Sequence, residues 1–261
     1  MSLFAGIDAG STYLKVALVD AGGNLCGTKT APTGIDARET ARQVLQESCR
    51  EKDCAVEAVT GIFATGYSRR QIDIAHDHVT EIRAHAAGAR WAAPAGVDIR
   101  TVIDVGGQDS KVIVLEEDGG IKNFVMNDKC AAGTGRFLEA LARVLDLPVR
   151  DIGPMALRSR LPCQINSMCV VFAESEVISL LARRQDPVDI VAGIHVAMAK
   201  RIAVMARKAG LYGEVLLTGG GGLNPGLVAA FEDELQRDVH TAAHPQLNGA
   251  IGAALIAGDL A

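Results

Sequence analysis

The feature that most constrains the fold is a short motif that occurs twice. Asp8-Ala9-Gly10 is matched by Asp104-Val105-Gly106, and a lysine follows each aspartate by seven residues, at Lys15 and Lys111. Each lysine opens an apolar, β-branched run that ends in an acidic-glycine turn. Equal spacing at both places favours a duplicated unit, and it predicts two similar α/β lobes that face each other across a cleft. The alternative is two unrelated hairpins with glycine tips.

Hydrophobic periodicity and turn residues give the remaining elements. Strands are predicted at 3–8, 14–19, 25–30, 56–64, 101–104, 112–115, 214–217 and 239–241. Helices are predicted at 36–50, 79–91, 187–210 and 227–236, after each of the cysteines at 130 and 169, and in a closing segment from 245. Residues 148–162 read as a polar connector. The predicted lobes are 1–96 and 97–261, and the closing helix (245–258) is allowed to pack back on the first lobe.

Composition excludes several classes of protein. The chain has 261 residues, a net charge of −5 and 49% hydrophobic residues, which suits closely packed α/β layers. The slightly acidic balance gives no support for nucleic-acid binding. No run of about 18 apolar residues is present, and the N-terminus lacks the pattern of a signal peptide. We therefore expect no membrane partner and a cytoplasmic location.

Two of the six cysteines stand in segments that resemble each other. Cys130 precedes a Gly133-Thr134-Gly135 turn and an amphipathic pattern, and Cys169 precedes a second helical pattern. A helix N-terminus carries partial positive charge, which stabilises a thiolate or an anionic metal cluster. We interpret Cys130 and Cys169 as iron–sulfur ligands at the ends of two helices. The alternative is that each is a small buried hydrophobic residue.

The repeated motif has the chemistry of a nucleotide site. Glycine and hydroxyl residues at a hairpin tip let backbone N–H groups approach phosphate oxygens closely. A carboxylate at a strand end can hold Mg²⁺ through its waters, and a second one from the opposite lobe would bracket the same ion. Later in the chain, Thr218 and four glycines follow a strand and precede a helix. Such a cluster is typical of an approach to phosphate or adenosine, although on its own it is equally a flexible turn.

Together these segments resemble a known family. The motifs at Asp8 and Asp104 and the cluster at Thr218 look like the two phosphate motifs and the adenosine motif of the actin/sugar-kinase ATPase superfamily. The stretches from Asn127 to Phe137 and from Cys169 to Ile178 resemble the activators of 2-hydroxyacyl-CoA dehydratases and the related ATPase subunits of benzoyl-CoA reductase. The resemblance covers essentially the whole chain. It implies a two-lobed actin-like fold built from duplicated, ribonuclease H-like units.

The resemblance also implies a cofactor and partners. In that family one [4Fe–4S] cluster bridges a homodimer, and here Cys130 and Cys169 of each protomer would hold it. Cys163 is the competing candidate, which we expect to be structural. ATP hydrolysis would drive one electron from the cluster to an iron–sulfur CoA-thioester dehydratase or reductase, with ferredoxin or flavodoxin as the electron donor. An oxygen-sensitive protein of anaerobic metabolism is expected.

Residue roles follow as hypotheses. Asp8 and Asp104 would hold waters of Mg²⁺, and Gln108 would orient the attacking water. The residues expected to bind a cofactor are Gly133, in the turn after Cys130, and a set for ATP or ADP: Gly10, Ser11, Thr12, Lys15, Gly106, Gly107, Gly219, Gly220, Gly221 and Gly222. Lys111 is expected to be mostly solvated. Four alternatives stay open: the ATPase subunit of a benzoyl-CoA reductase, that of a double-cubane-cluster reductase, a small-molecule kinase of the same superfamily, and a non-catalytic actin-like scaffold.

Overall fold

The computed structural model describes residues 2–167 and 169–260. Met168, which belongs to the second cysteine stretch, lies outside the described residues. The chain divides into two compact units. Unit 1 contains the described residues up to Ala95, then Glu117–Ile121, then those from Gln246 onward, and unit 2 contains Gly96–Glu116 and Lys122–Pro245.

Each unit opens with three consecutive strands, and most of the helices follow later in the chain. The strands are β1 (Leu3–Ala9), β2 (Tyr13–Asp20), β3 (Leu25–Pro32), β4 (Val59–Thr65), β5 (Asp77–His78), β6 (Ile99–Val105), β7 (Ser110–Leu115), β8 (Ile121–Asn127), β9 (Glu214–Gly219) and β10 (Val239–Thr241). The helices are α1 (Ala37–Arg50), α2 (Glu81–Ala92), α3 (Gly135–Val144), α4 (Val149–Ala156), α5 (Val170–Ala182), α6 (Pro187–Ala209), α7 (Pro225–Leu235) and α8 (Asn248–Ala257).

The two sheets have the same strand order. Unit 1 has β3-β2-β1-β4-β5 and unit 2 has β8-β7-β6-β9-β10. In each sheet the first strand pairs antiparallel with the second and parallel with the fourth. The repeated motif also has one register, because Asp8 lies opposite Lys15 and Asp104 lies opposite Lys111. The predicted duplication is confirmed.

A second matching pair, missed in the sequence, lies on the neighbouring strands. Thr65 lies beside Asp8 on β4, and Thr218 lies beside Asp104 on β9. A glycine with positive φ follows each threonine, Gly66 at +91° and Gly219 at +75°. Any side chain is strained there, so both positions favour glycine. The repeat thus includes a Thr-Gly pair at the end of the fourth strand.

Helix α8 packs within unit 1 with direct backbone contacts. A Cβ added at Gly6 of β1 would lie 1.9 Å from the Ala250 carbonyl oxygen. A Cβ at Gly252 would lie 1.8 Å from the Ala84 carbonyl oxygen of α2. Since neither position has room for a side chain, α8 can approach both β1 and α2 closely. This closeness brings the first turn of α8 to the aspartate end of β1.

The core of unit 2 is built from β6, β7 and β9 with helices α3 to α7. The prediction of a polar connector at 148–162 is wrong in its first half, where α4 forms. Ile152 and Ala156, four residues apart, bury one face of this helix. The polar residues Arg158, Ser159 and Arg160, which suggested a connector, lie after its end.

Strands β5 and β8 were not predicted, and β4 begins three residues after its predicted start. Strand β8 stands at a sheet edge, and most of its residues are exposed, so it lacks the alternation that marks a half-buried strand. Strand β5 has only two residues. Residues Val56–Ala58, predicted as the start of β4, form a 3-10 turn instead. Within the described ranges, no helix is long and apolar enough to cross a membrane.

Candidate functional site

The motif of unit 1 places a buried carboxylate next to an ammonium. Asp8 stands near the end of β1, and Lys15 Nζ lies 2.9 Å from its Oδ2. The opposing register on β1 and β2 explains this pairing, because directly opposed side chains share one face of the sheet. A Cβ at Gly10 would lie 2.9 Å from the Tyr13 carbonyl oxygen and 3.2 Å from Lys15 Nζ. Only glycine therefore fits this turn.

The hairpin tip is tied down by Thr33, which directly follows β3. The Thr33 hydroxyl donates to the Gly10 carbonyl oxygen at 2.7 Å. The Thr33 backbone N–H donates to the Thr12 carbonyl oxygen at 3.0 Å. These bonds engage the carbonyl groups of the tip. Ser11 is exposed, and the buried hydroxyl of Thr12 has no hydrogen-bond partner within the described residues. The tip therefore has an exposed residue with a hydroxyl group, Ser11, and a buried hydroxyl group on Thr12 that is not yet hydrogen-bonded to any described residue.

The motif of unit 2 is more deeply buried than that of unit 1. Lys111 Nζ lies 3.3 Å from Asp104 Oδ2 and also pairs with Asp109. The Thr218 hydroxyl donates to Asp104 Oδ1 at 2.8 Å. The expectation of a solvated Lys111 is wrong, since this residue is 3% exposed. Every residue of β7 is buried. A short apolar run in a sequence does not reveal whether a strand is buried on one face or on both.

The glycine loop after β6 is joined to the start of α3. The backbone N–H of Gly135 donates to the Gly106 carbonyl oxygen at 2.8 Å, and that of Arg136 donates to the Gly107 oxygen at 3.0 Å. The first N–H groups of a helix have no partner within the helix, and here this loop supplies two. Gln108, at the loop tip, is exposed. The loop thus presents Gln108 to solvent while its carbonyls hold α3.

The glycine cluster after β9 divides into packed and accessible positions. A Cβ at Gly221 would lie 2.6 Å from the Val105 Cβ, and one at Gly222 would lie 2.6 Å from the Pro245 Cβ. Both glycines are buried, whereas Gly220 is exposed. The cluster therefore forms a tightly packed 3-10 turn, and Gly220 is its member that is open to a ligand.

Cys130 does not stand at a helix N-terminus, which corrects the sequence interpretation. Helix α3 begins five residues later, at Gly135. The turn between them is fixed by Asn127, whose side-chain N–H groups donate to the carbonyl oxygens of Cys130 at 2.8 Å and Ala132 at 3.0 Å. Asn127, the last residue of β8, therefore sets the position of the half-buried cysteine.

Cys169 does stand at a helix N-terminus. It is the N-cap residue of α5 and is exposed. Glu176, two turns into the helix, accepts the backbone N–H of Asn166 at 3.0 Å and that of Ser167 at 2.9 Å. Burial alone would raise the pKa of Glu176, but these hydrogen bonds outweigh burial and hold the pKa below its ordinary value. The second acidic residue of the Glu-Ser-Glu sequence thus anchors the segment that leads to the cysteine.

The two cysteine stretches are neighbours in unit 2. Ser167 lines the same small cavity as Ala132 and Gly133, with residues of α6 completing the wall. Gly133, which is expected to bind a cofactor, lies against α6, because a Cβ there would be 3.3 Å from Arg201 Cδ. Helices α3 and α5 also pack against each other.

The backbone of Cys163 is fixed against α6. Its N–H donates to the Asp189 carbonyl oxygen at 2.8 Å, and its carbonyl oxygen lies 2.1 Å from where a Cβ at Gly193 would be. Burial raises the pKa of its thiol, and Asp189 and Asp186 raise it further. All six cysteines are free thiols. In the described part of one chain, no three metal-ligating side chains come together.

The surface around Cys169 is apolar. Val171, Phe172 and Ile178 of α5 are 64%, 68% and 56% exposed. Only Ala173 and Val177 of this helix are buried. A helix that is apolar on its solvent side marks a surface for association with another protein.

Comparison with known proteins finds relatives that match nearly the whole chain. A (R)-2-hydroxyglutaryl-CoA dehydratase activating ATPase from Acidaminococcus fermentans is 40% identical over 259 residues, covering 98% of each chain. One component of the benzoyl-CoA reductase from Thauera aromatica is 30% identical over 265 residues, covering 98% of this chain and 93% of the relative.

Solved structures show the same fold. The activator of the 2-hydroxyisocaproyl-CoA dehydratase from Clostridium difficile, with bound ADPNP, superimposes with a TM-score of 0.92 at 38% identity, covering 98% of this chain and 94% of that one. A ROK family glucokinase from Streptomyces griseus shares the fold alone, with a TM-score of 0.57 at 18% identity, covering 99% of this chain and 100% of that one. The predicted two-lobed actin-like fold is confirmed. A model of the BadF/BadG/BcrA/BcrD ATPase family matches residues 5–257, and the chain belongs to that family.

Proposed function

We propose that this protein is an ATP-dependent one-electron donor that activates a 2-hydroxyacyl-CoA dehydratase, using a [4Fe–4S] cluster shared by two copies of the chain. The observation that carries the proposal is an exposed cysteine, Cys169, at the N-cap of an apolar, exposed helix beside the Cys130 stretch. Neither a kinase nor a scaffold has a use for this combination. A redox cofactor that two protomers share at their contact would require both the exposed cysteine and the apolar surface.

The thiol groups fit a shared cluster. A [4Fe–4S] cluster takes four thiolates, and each chain offers two cysteines on adjoining segments. A second copy related by a two-fold axis presents the same surface, so it supplies the other two. Val171 and Phe172 flank Cys169 and give the contact apolar area to bury. When bound, the cluster would supply a low-potential one-electron couple.

Each nucleotide motif would contact a different part of Mg·ATP. The hairpin tip of unit 1 would hold phosphate through Gly10, Ser11 and Thr12, and Lys15 would turn from Asp8 to the phosphate. Asp8 and Asp104 would hold waters of Mg²⁺, in keeping with the preference of this ion for oxygen ligands. Asp104 already binds Thr218 and Lys111, so Asp8 is the carboxylate with more freedom to change partner.

The unit 2 loop would contact the γ-phosphate and its attacking water. Gly106 and Gly107 would cradle phosphate, Gln108 would orient the water, and the accessible Gly220 would approach the adenosine. An amide positions water without acting as a strong base, which suits slow hydrolysis that the partner enzyme accelerates.

The hydrogen bonds at the start of α3 provide a route from nucleotide to cysteine. The loop at Gly106 and Gly107 holds the first turn of α3, and the turn that carries Cys130 leads directly into that helix. When phosphate contacts of the loop change, α3 and the Cys130 turn must adjust together. Hydrolysis would thereby alter the protein's hold on the cofactor and promote electron release to the docked partner.

The partner class follows from the relatives. The 40% identical relative is named for a 2-hydroxyacyl-CoA dehydratase and the 30% identical one for benzoyl-CoA reductase, so we place this chain with the dehydratase activators. Ferredoxin or flavodoxin would reduce it. A role in the reductase complex, or with a double-cubane partner, is the alternative that the partner's identity would reveal.

The experiment is a reconstituted electron-transfer assay under anaerobic conditions. The tagged protein captures its iron–sulfur partner from the native extract, and the complex is supplied with reductant, Mg·ATP and a 2-hydroxyacyl-CoA. We expect dehydration that requires ATP and is lost in Cys169→Ser. A partner that reduces an aromatic thioester would support the reductase alternative. ATP consumption that phosphorylates a small-molecule hydroxyl group would refute the proposal in favour of a kinase.

A further inference from the structure

One buried histidine has no place in the mechanism above. His85 lies on α2 and is 6% exposed. Asn248, the first residue of α8, donates from Nδ2 to the His85 carbonyl oxygen at 3.0 Å. The same Nδ2 lies 3.4 Å from His85 Nδ1. Burying two polar side chains costs folding free energy unless their polar atoms are hydrogen-bonded, so this buried pair calls for an explanation.

The contact with Asn248 sets the tautomer of the imidazole ring. The bond to a backbone carbonyl fixes which end of the Asn248 amide carries the hydrogens, because a carbonyl only accepts. His85 Nδ1 therefore faces a donor and must accept. The proton of the neutral ring is then on Nε2, which becomes a donor.

His85 Nε2 and the carboxylate of the first nucleotide motif both lie against Gly249. A Cβ added at Gly249 would lie 2.9 Å from His85 Nε2 and 3.3 Å from Asp8 Oδ2. Both groups are therefore close to one point, the Cβ position of Gly249, where a side chain would have no room. Lys15 Nζ lies on the same Oδ2, at 2.9 Å.

Comparison of the two motifs shows why Asp8 needs another partner. In unit 2 the Thr218 hydroxyl donates to Asp104 Oδ1, and Lys111 lies on Oδ2. In unit 1 the corresponding threonine, Thr65, is fully buried, and its hydroxyl has no hydrogen-bond partner among the described residues. Threonine therefore orients the carboxylate of unit 2, while in unit 1 this restraint is missing.

We propose that His85 is a positioning residue for Asp8. The Nε2–H group, oriented by Asn248, holds the Asp8 carboxylate in place when Lys15 leaves it for nucleotide phosphate. Asp8 then keeps the orientation in which it holds the waters of Mg²⁺. This inference rests on the proposed ATPase function and adds two residues to its site, His85 and Asn248.

The test compares steady-state ATP hydrolysis in variants of the full chain. In His85→Ala, kcat should fall about 10- to 100-fold, the range for residues that orient a metal-binding group, while KM for Mg·ATP changes less than about twofold. His85→Gln, which keeps an N–H donor, should recover part of kcat. Asn248→Ala should also lower kcat, and the double variant should be no slower than His85→Ala, because both residues act through one contact. His76→Gln, which alters an exposed histidine of unit 1, serves as the matched control and should retain kcat.

A spectroscopic measurement covers the case in which His85 variants fold poorly. In wild-type protein, ¹⁵N NMR of the ring should show the proton on Nε2, and Asp8→Asn should shift that resonance. A proton on Nδ1, or an Nε2 resonance that does not shift in Asp8→Asn, would overturn the inference. So would a folded His85→Ala variant with wild-type kcat. Wild-type protein without ATPase activity would instead refute the proposed function, so the two failures are distinguishable.

Discussion

The two motif lysines should differ sharply in their contribution to stability. Lys111 faces two carboxylates in the interior, and its side chain is 4% exposed, as against 3% for Asp104. Lys111→Met leaves Asp104 as a buried charge without its ammonium. Removing one partner of a buried ion pair costs about 3–5 kcal/mol of unfolding free energy.

The equivalent change in unit 1 provides the matched comparison. The Lys15 side chain is 19% exposed and that of Asp8 is 8% exposed, so water replaces part of the lost interaction. A hydrogen bond to a charged group contributes about 1.5–3 kcal/mol, so Lys15→Met should cost less than Lys111→Met. The difference of about 2 kcal/mol corresponds to a further drop in Tm of about 4–8 °C.

Hydrogen exchange measured with urea denaturation separates the two effects. A protein of two units need not unfold in one step, so the site of destabilisation must be located as well as measured. Lys111→Met should speed exchange in β6 and β7, and Lys15→Met should speed it in β1 and β2. Adding Asp104→Asn to Lys111→Met should recover much of the loss. The reasoning fails if Lys111→Met costs less than about 1 kcal/mol, or no more than Lys15→Met.

Three further changes test other parts of the site. Gln108→Ala should lower ATP turnover while leaving the unfolding free energy unchanged, since the side chain is exposed, and unaltered turnover would discard its role in placing water. Glu176→Gln should destabilise the segment before Cys169 at neutral pH. The folded-state pKa of Glu176 is lowered, so its stabilisation is present above the unfolded pKa and is lost as pH falls through the folded value. The urea denaturation of wild type and variant should therefore differ at neutral pH and converge in acid, once the folded carboxyl is protonated. Phe172→Ser should shift sedimentation from dimer toward monomer without lowering the Tm of unit 2, and an unchanged dimer would remove α5 from the interface.

The sequence predicted the features that depend on local pattern. Equal spacing from aspartate to lysine implied the duplication, and the structure adds that both pairs face each other in one register. The boundaries of α6 and β10 also follow from periodicity, because a long apolar stripe and a short β-branched run are each distinctive. The family-like cysteine stretches identified the segments that adjoin in unit 2.

Features that depend on tertiary packing could not be predicted in this way. Lys111 looked solvated because nothing in the sequence shows that β7 is covered on both faces. Cys130 was expected just before a helix, but the length of the turn between the cysteine and Gly135 cannot be predicted from a Gly-Thr-Gly sequence. His85 stands in an alanine-rich helix, and its relation to Asp8 emerges only when α8 closes over β1. Glycines at 6, 88, 249 and 252 were the available signal, since small residues at helix spacing permit such close packing.

The most direct test of the account is the iron and sulfide content of the anaerobically reconstituted protein, determined together with its mass by native mass spectrometry. We expect a dimer that carries four iron and four sulfide ions per two chains, and loss of this cluster in both Cys130→Ser and Cys169→Ser, with Cys163→Ser unaffected. A protein that takes up no iron, or a monomer that holds a complete cluster by itself, would contradict the proposal that two chains share one redox centre.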